Sequence, residues 1–304
     1  MEEISQPRSL PLVLGTVQLG IPYGIANKAG QPNEKLATEI VREAWNNGIQ
    51  QFDTAQGYGE SEKVLGKVFC EAGITHEVKV ISKFDPNIDH LNHAALSKAL
   101  DGSLYRLGLK QLACMMLHRE EYLSLWKKGL GESLHYFVQS GKIRSAGISV
   151  STPEKAMQAL NTNGIDLIQI PGNIMDQKFE RAGIFELAQK NKKQIHVRSV
   201  FLQGLILMNP QDLPAPMAYA IPFLEKAQSL CLEMKLTPQE MALGYFKSIG
   251  PEVSLVFGAE TVEQVHENVR NWRKTVPPFL NQRIQKLFPE VPDAIVNPAL
   301  WPKS

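Results

Sequence analysis

The chain has 304 residues, a formal net charge of +1, 43% apolar residues and 21% charged residues. It is long enough for one large domain with a full core, and its near-neutral charge argues against nucleic acid or a membrane surface as the main partner. Three cysteines without metal or redox spacing, an acidic polar start and no apolar run of roughly 18 residues predict a cytoplasmic protein without a metal site or a membrane span.

Short apolar runs typical of buried strands recur along the chain. Each is bounded by polar residues or glycine and is followed by a stretch with helical spacing of its apolar residues. The predicted strands cover residues 10–15, 49–53, 78–83, 112–118, 145–150, 167–170, 195–199 and 254–258.

Amphipathic helices are predicted between these strands. Glycines such as Gly48, Gly108 and Gly141 end three of them, and prolines mark the start of several others. The predicted helices cover residues 34–47, 60–69, 91–107, 130–140, 152–160, 179–190, 222–234, 238–249 and 261–271, with an additional helix at 279–287 and a proline-rich tail at 289–304.

Eight strands that each precede a helix predict a single α/β domain over residues 1–304, a (β/α)8 TIM barrel with one extra helix and a C-terminal tail. A doubly wound sheet is the competing fold. It is less favoured because Gly15, Gly20 and Gly24 lack the spacing of a dinucleotide fingerprint after the first strand. Two long connections, 84–90 and 202–221, are expected to be lids or binding loops.

Polar side chains close most of the predicted strands. In a barrel of this kind the active site lies at the carboxyl ends of the strands, so these side chains are expected to converge around one mouth. The strand-end residues are Asp53, Lys83, His118, Ser149, Gln169, Arg198 and Gly258.

The residue types at this mouth favour proton transfer. Tyr58 follows Asp53 by five residues, and an ammonium such as Lys83 favours the ionised form of a nearby phenol. Asp53 can hold the lysine by ion pairing, and His118 can hydrogen-bond a substrate oxygen or relay a proton. A set without a nucleophile or a metal suits the reduction of a carbonyl by a hydride from a bound cofactor.

Several segments, in one order along the chain, carry a resemblance to a known family. They are Gly15 and Thr16, DTAxxYGxSE at 53–62, Lys83, Leu117 with His118, GKIRxxGIS at 141–149, Gln169, RSxxxQGL at 198–205 and GAxTxEQxxEN at 258–268. On these segments the chain resembles the aldo-keto reductase superfamily over essentially its whole length.

The resemblance implies a (β/α)8 barrel that binds NADP(H) or NAD(H) and interconverts an aldehyde or ketone with its alcohol. It implies Tyr58 as general acid or base, supported by Asp53, Lys83 and His118. A sugar or sugar-derived carbonyl is the first candidate substrate. The implied cofactor-binding residues are Gly15, Thr16, Asp53, Ser149, Gln169, Arg198, Ser199, Gln203, Gly204, Gly258, Ala259, Glu260, Gln264, Glu267 and Asn268.

The chain departs from the family pattern at three places. Val150 stands where an asparagine is common, so one hydrogen bond to the cofactor, worth about 1 kcal/mol, is expected to be missing. Arg198 stands where many members have an aromatic side chain, and its guanidinium could cover a ring or contact a phosphate. Glu260 lies in a segment that is often basic in members preferring NADPH.

The role of Glu260 has two interpretations. A carboxylate near the adenosine ribose would disfavour a 2′-phosphate, so NADH would be used at least as well as NADPH. Alternatively, Glu260 points into solvent, and Thr261 with Gln264 only forms a capping box.

The remaining features are two histidines, the C-terminal tail and several large apolar side chains. His90 and His93 are expected to form a solvated helix start rather than a metal site. The tail is expected to dock through Val296, Leu300 and Trp301. Candidate walls of the substrate pocket are Met208, Met217, Tyr219, Trp126 and Trp301.

A non-enzymatic NAD(P)(H)-binding regulatory protein on the same fold is the alternative function. The complete set of Tyr58, Lys83, Asp53 and His118 argues against it. The physiological substrate, the direction of the reaction and the oligomeric state remain open at the level of sequence.

Overall fold

The computed structural model describes residues 10–27, 30–250 and 253–302. Within these ranges eight parallel strands pair in chain order, and the first pairs with the eighth to close a barrel. This confirms the predicted (β/α)8 barrel and excludes the doubly wound sheet. The strands are β1 (Leu12–Gly15), β2 (Gln51–Asp53), β3 (Lys79–Lys83), β4 (Cys114–Leu117), β5 (Ala146–Ser149), β6 (Leu167–Pro171), β7 (Gln194–Arg198) and β8 (Val253–Gly258).

Helices follow the strands and surround the barrel. They are α1 (Val17–Gly20), α2 (Glu34–Asn46), α3 (Ser61–Glu71), α4 (His93–Leu107), α5 (Leu130–Gln139), α6 (Pro153–Leu160), α7 (Lys178–Arg181), α8 (Ile184–Lys190), α9 (Ile221–Met234), α10 (Pro238–Lys247), α11 (Val262–Arg273), α12 (Leu280–Leu287) and α13 (Asp293–Val296). The long connection after β7 contains three short 3₁₀ segments, Leu202–Leu207, Pro210–Asp212 and Ala215–Ala220.

The single helix predicted over 179–190 is wrong. The structure has two helices there, α7 and α8, because Gly183 adopts a left-handed conformation with φ of 68°. This conformation breaks the helical path and lets the chain change direction. Helical spacing of apolar residues continues across the break, so periodicity alone does not reveal it.

The strands carry apolar side chains on both faces. On β6, Ile168 and Ile170 point outward into the large core between barrel and helices. Leu167 belongs to a small separate cluster with Ile81, Cys114 and Met116 that fills the barrel interior. Because side chains alternate along a strand, residues two positions further along point to the same interior. The polar strand-end residues therefore lie at the mouth of the barrel, above this apolar cluster.

Two local expectations need correction. His90 is not solvated: it is 3% exposed, and its ring stacks on Tyr122 with centroids 3.8 Å apart. The loop after β3 folds the histidine inward, where Nδ1 lies 2.6 Å from the carbonyl oxygen of Ile88. In the tail, Val296 is buried but Leu300 is 58% exposed, so Leu300 does not dock.

Trp301 is partly buried, and its Nε1 donates to the carbonyl oxygen of Ile295 at 3.0 Å. Across residues 10–27, 30–250 and 253–302, none of the helices is both long and apolar enough to cross a bilayer.

Candidate active site

An ion pair between Lys83 and Asp53 forms the charged centre of the barrel mouth. Lys83 is fully buried, and its Nζ donates to Oδ1 of Asp53 at 2.6 Å and to the carbonyl oxygen of Thr54 at 2.9 Å. Oδ2 of Asp53 accepts from Nε2 of Gln169 at 2.8 Å. Burial acts to lower the pKa of Lys83, but Asp53 and Tyr58 beside it act in the opposite direction, and the pKa is raised. The ammonium is therefore charged at neutral pH.

Tyr58 lies beside this ammonium. Nζ of Lys83 is 5.2 Å from the centroid of the Tyr58 ring, a distance at which a cation interacts with the π-face. The turn that carries Tyr58 rests on Gly20, the last residue of α1. A Cβ on Gly20 would lie 1.7 Å from the carbonyl oxygen of Tyr58, so only glycine allows this approach.

A chain of hydroxyl groups fixes the two ends of the turn between β2 and α3. Oγ1 of Thr16 donates to the carbonyl oxygen of Asp53 at 2.9 Å, and Oγ of Ser61 donates to Oγ1 of Thr16 at 2.7 Å. The hydroxyls of Thr54 and Ser61 are 2.9 Å apart. Thr16, Thr54 and Ser61 are all fully buried, so the network holds the turn without access to water.

Glu62 anchors the start of α3 to the neighbouring strand and helix. Its carboxylate is buried, and it accepts from Oγ of Ser82 at 2.6 Å and from Nε of Arg106 at 2.8 Å. Ser82 precedes Lys83 on β3, so this contact also fixes the strand that carries the lysine. The Glu62 of the DTAxxYGxSE motif therefore has a structural task.

His118 follows β4 and meets Tyr58 edge to face, with ring centroids 5.8 Å apart at 78°. Burial, reinforced by the positive charge of Lys83, lowers the pKa of His118 to about 4. The imidazole is therefore neutral at pH 7. Its Nδ1 is buried without a hydrogen-bond partner in the described part of the chain. Protonation at Nε2 leaves only an acceptor unpaired, which costs less than a buried unpaired N–H.

A cavity of about 350 Å³ extends along the barrel mouth from Tyr58. Of the residues expected to bind cofactor, all but Ser149 and Ala259 line it: Gly15, Thr16, Asp53, Gln169, Arg198, Ser199, Gln203, Gly204, Gly258, Glu260, Gln264, Glu267 and Asn268. Lys83 and His118 do not line it. The structure thus brings most of the predicted residues around one space.

Ser149 and Ala259 are buried beside the cavity rather than on its wall. Ser149 ends β5 next to Gln169, and Ala259 packs into the core. Val150, which takes the place of the expected asparagine, is also a core residue with 1% exposure. Its side chain therefore offers no polar group to the cavity.

Four of the five predicted walls of the substrate pocket do not line this cavity. Met208 lines the cavity, but Met217 is buried in the core and the Tyr219 hydroxyl donates to the carbonyl oxygen of Ala294. Trp126 packs against Gly131 and Trp301 against the tail. A sequence does not distinguish such packing or tail contacts from the lining of a pocket.

Sequence reasoning missed three polar residues of the wall, Gln18, Tyr23 and Gln239. Gln18 and Tyr23 come directly after the first strand, and their place after a strand end was the available signal. Gln239 lies on α10, where its side chain links Asn268 and Asn271. Nothing in its local sequence marks it as a site residue.

The cavity fits an extended ligand with polar groups. Oε1 of Gln18 is buried against the cavity and has no partner among the described residues. A Cβ on Gly258 would lie 1.9 Å from the amide nitrogen of Gln18, so glycine keeps this amide in place. A nicotinamide cofactor would bring the polar groups and the length that this wall leaves unmatched.

The loop after β7 has a strained backbone where it meets the segment after β1. Ser199, Leu202 and Gln203 have φ values of 62°, 49° and 54°, which is rare for residues with a side chain. The amide of Ala26 donates to the carbonyl oxygen of Gln203 at 3.5 Å, and a Cβ on Gly204 would collide with Ala26. Such strain is typical of segments that hold ligands.

The family model described as "Aldo/keto reductase family" matches residues 11–287. The chain belongs to the aldo/keto reductase family. This confirms the resemblance carried by the motifs. It also makes the protein an NAD(P)H-dependent oxidoreductase that acts on carbonyl groups.

Two relatives in Escherichia coli (strain K12) illustrate this aldo/keto reductase family. The NADH-specific methylglyoxal reductase is 26% identical over 275 residues, which cover 79% of this chain and 83% of the relative. The L-glyceraldehyde 3-phosphate reductase is 24% identical over 301 residues, which cover 87% and 86%.

Solved aldo-keto reductases share the fold. The holo form of an enzyme from Bacillus halodurans matches with a TM-score of 0.74 at 24% identity, covering 91% of each chain. An enzyme from Klebsiella pneumoniae in complex with NADP and acetate matches with a TM-score of 0.72 at 20% identity, covering 92% of each chain. In the parts of the chain that are described here, no group of three or more acidic, histidine or cysteine side chains could hold a metal ion.

Proposed function

We propose that this aldo/keto reductase reduces an aldehyde or ketone, with Tyr58 as the general acid that delivers the proton. The observation that carries the proposal is the buried, charged Lys83 at 5.2 Å from the Tyr58 ring and 2.6 Å from Asp53. A fixed cation favours the phenolate that remains after proton transfer, and it needs no rearrangement during the reaction.

Four residues form what we call the tetrad, and each has a separate role in this proposal: Tyr58, Lys83, Asp53 and His118. Asp53 and the carbonyl of Thr54 hold the Lys83 ammonium, and the ammonium stabilises negative charge on the Tyr58 oxygen. Neutral His118 donates from Nε2 to the substrate oxygen and so orients the carbonyl without competing as a proton donor. A bound nicotinamide would supply the hydride, and in the reverse direction Tyr58 would act as the base.

The residues proposed to hold the cofactor extend along the cavity. Gln169 and Ser149 would lie near the carboxamide, Gly204 and its neighbours would cover the pyrophosphate, and Glu260 to Asn268 would lie near the adenosine. Support comes from the cavity wall and from relatives that use NADH or bind NADP.

We propose that NADH is used at least as well as NADPH. Glu260 lines the cavity, and its Oε1 would lie 3.7 Å from a Cβ on Gly24 across the space. Burial raises the pKa of Glu260. Thr261 caps α11 by accepting from the amide of Gln264, while Oε1 of Gln264 accepts from the amide of Glu260 at 2.7 Å. The capping role and the cavity position thus coexist, which favours a carboxylate directed at the ribose.

For the substrate we propose a small aldehyde or a sugar-derived carbonyl, and for the location the cytoplasm. The relatives are named as reductases of methylglyoxal and L-glyceraldehyde 3-phosphate, both small aldehydes. Cys70, Cys114 and Cys231 are free, in keeping with a reducing compartment. The complete tetrad and the family disfavour the alternative of a non-enzymatic NAD(P)(H)-binding regulator.

The first test is a fluorescence titration of the protein with NADH and NADPH, followed by turnover of small aldehydes. We expect saturable binding of both cofactors and a kcat/KM with NADH at least equal to that with NADPH. Tyr58→Phe should retain cofactor binding and lose most of the turnover. Unchanged turnover in Tyr58→Phe would remove the tyrosine from the mechanism, and a preference for NADPH above tenfold would refute the assignment to Glu260.

A further inference from the structure

Arg198 is a cation at the cavity wall, and no ion pair joins it to another side chain in the described part of the structure. It ends β7 and is half-buried. Its Nη1 lies 3.5 Å from Oγ of Ser199 and its Nη2 lies 3.5 Å from Oγ of Ser151, at the outer limit for hydrogen bonds. Among the residues that the structure describes, no carboxylate lies within 4 Å of the guanidinium. The guanidinium at the cavity wall is therefore available to an anionic ligand.

Two carboxylates at this end of the barrel are already engaged. Asp53 uses one oxygen for Lys83 and the other for Gln169. Glu120 accepts from the amide of Ser151 at 2.7 Å and from that of Thr152 at 3.2 Å, at the start of α6. Neither of these carboxylates forms an ion pair with Arg198 among the residues that the structure describes.

The charge of Arg198 acts at the reaction end of the cavity. Together with Lys83 it contributes to the lowered pKa of His118, after burial as the main cause. Burial raises the pKa of Tyr23, although Arg198 acts to lower it. The Tyr23 phenol therefore stays neutral and can donate a hydrogen bond. Asp53, the carboxylate of the wall at this end, is engaged by Lys83 and Gln169, whereas Glu260 and Glu267 lie in the β8–α11 segment. Among the residues that the structure describes, Arg198 is the only lysine or arginine that lines the cavity.

We propose that Arg198 binds an anionic group of the substrate, so that the enzyme acts on carbonyl compounds carrying a carboxylate or a phosphate. This inference rests on the function proposed above. A guanidinium binds either group through two parallel hydrogen bonds, and a neighbouring hydroxyl adds a further donor. Binding of the anion by Arg198 fixes the position of the carbonyl relative to Tyr58, because the barrel holds both side chains in place.

The test compares matched pairs of aldehydes that differ only in the anionic group. Succinic semialdehyde is measured against butanal, and glyceraldehyde 3-phosphate against glyceraldehyde. We expect the wild type to prefer the anionic member of at least one pair by kcat/KM. Arg198→Met should reduce that preference by roughly 10- to 100-fold, the effect of one charge-assisted hydrogen-bonded pair, and Arg198→Lys should restore part of it.

Arg119→Met is the matched control. Arg119 follows His118 directly and is exposed, with Nη1 at 3.7 Å from Glu121, and it does not line the cavity. Its removal deletes a nearby charge of the same kind, so the preference for the anionic aldehyde should remain within about threefold of the wild type. An equal loss in both variants would mean that the general field, and not Arg198, sets the preference.

Separate outcomes distinguish this inference from the proposed function. Turnover of butanal and glyceraldehyde without any preference for the anionic partners overturns the role of Arg198 and leaves the reductase activity intact. If Arg198→Met weakens NADH binding in the fluorescence titration and lowers both members of a pair equally, the anion belongs to the cofactor and the inference is wrong. No cofactor binding and no turnover by the wild type refutes both.

Discussion

Replacing Asp53 by asparagine tests how the buried lysine is kept charged. Lys83 is fully buried, and its Nζ lies 2.6 Å from the Asp53 carboxylate. Asparagine keeps the size and a hydrogen-bond acceptor but removes the negative charge. Burial, the largest influence on the pKa of Lys83, then acts with much less opposition, and the pKa falls below its ordinary value.

Two routes give the same magnitude for the loss of stability. Removing one partner of a buried ion pair costs about 3–5 kcal/mol. Alternatively, Lys83 deprotonates on folding, which at pH 7 costs about 5 kcal/mol against an ordinary pKa near 10.5. Since the unfolded chain then binds more protons than the folded one, the deficit should shrink as the pH rises from 7 towards 10.

Activity should respond to pH in the opposite direction. At pH 7 we expect kcat/KM of Asp53→Asn to fall by roughly 10²-fold or more, because an uncharged Lys83 no longer favours the Tyr58 phenolate. Lower pH recharges the lysine, so the ratio of variant to wild-type kcat/KM should rise as the pH falls. Urea unfolding and steady-state kinetics at several pH values measure both trends.

Asp176→Asn is the control for this experiment. Asp176 is also buried and lies 3.1 Å from a lysine, but Lys178 is 39% exposed at its side chain and can turn to solvent. We expect a loss of about 1 kcal/mol or less and an unchanged pH profile. If Asp53→Asn behaved like this control, Lys83 would not depend on its counter-ion for its charge.

Three further predictions concern packing, cofactor choice and stability. Gly20→Ala should displace the Tyr58 turn, cost about 1–3 kcal/mol and lower kcat, measured by thermal unfolding and turnover. Glu260→Lys should raise the NADPH:NADH ratio of kcat/KM at least about tenfold by adding a phosphate partner. Burial lowers the pKa of His196 to about 4, so the wild type should lose up to about 3 kcal/mol of stability as the pH falls from 6.5 to 4. His196→Gln should abolish this pH-dependent loss.

Each of these variants has a matched control on the same chain. A Cβ on Gly57 meets nothing within 4 Å, so Gly57→Ala should keep wild-type stability and turnover although it lies in the same turn. Glu263→Lys makes the same charge change at an exposed residue of α11 that does not line the cavity, and it should leave cofactor choice unaltered. His135→Gln, the control for His196→Gln, replaces an exposed histidine and should leave the pH dependence of stability unchanged. Unfolding curves of His196→Gln that stay parallel to the wild type over this pH range would contradict the assignment.

The sequence was most informative where periodicity and burial agree. All eight strands were found near the predicted apolar runs, and most of their residues are buried, as expected for a parallel sheet covered by helices. The prediction failed at Gly183, where a single left-handed residue divides a helix while the apolar spacing continues. It also did not predict the 3₁₀ segments after β7; the first of them meets Ala26 through Gln203 and Gly204, a contact between distant parts of the chain.

The candidate site was predictable to the extent that its chemistry requires particular residue types at strand ends. Lys83 and Asp53 fall at equivalent places on neighbouring strands, and the register brings β2 and β3 together. His196 escaped notice because it lies inside β7, two residues before the strand end, although its charge state responds to Asp53 and Lys83. A lone histidine inside an apolar run gives no sign of facing the barrel interior.

The DTAxxYGxSE motif joins chemical and structural tasks that its letters do not separate. In the proposed mechanism Tyr58 and Asp53 serve proton transfer, whereas in the structure Ser61 and Glu62 fix the turn and the first residues of α3 through Thr16, Ser82 and Arg106. The distinction has a physical basis. The buried carboxylate of Glu62 is hydrogen-bonded by Ser82 and Arg106 and therefore stabilises the structure. Tyr58, in contrast, lines the cavity. If the proposed mechanism holds, we expect Glu62 to act on it only indirectly, by fixing α3 and the strand that carries Lys83.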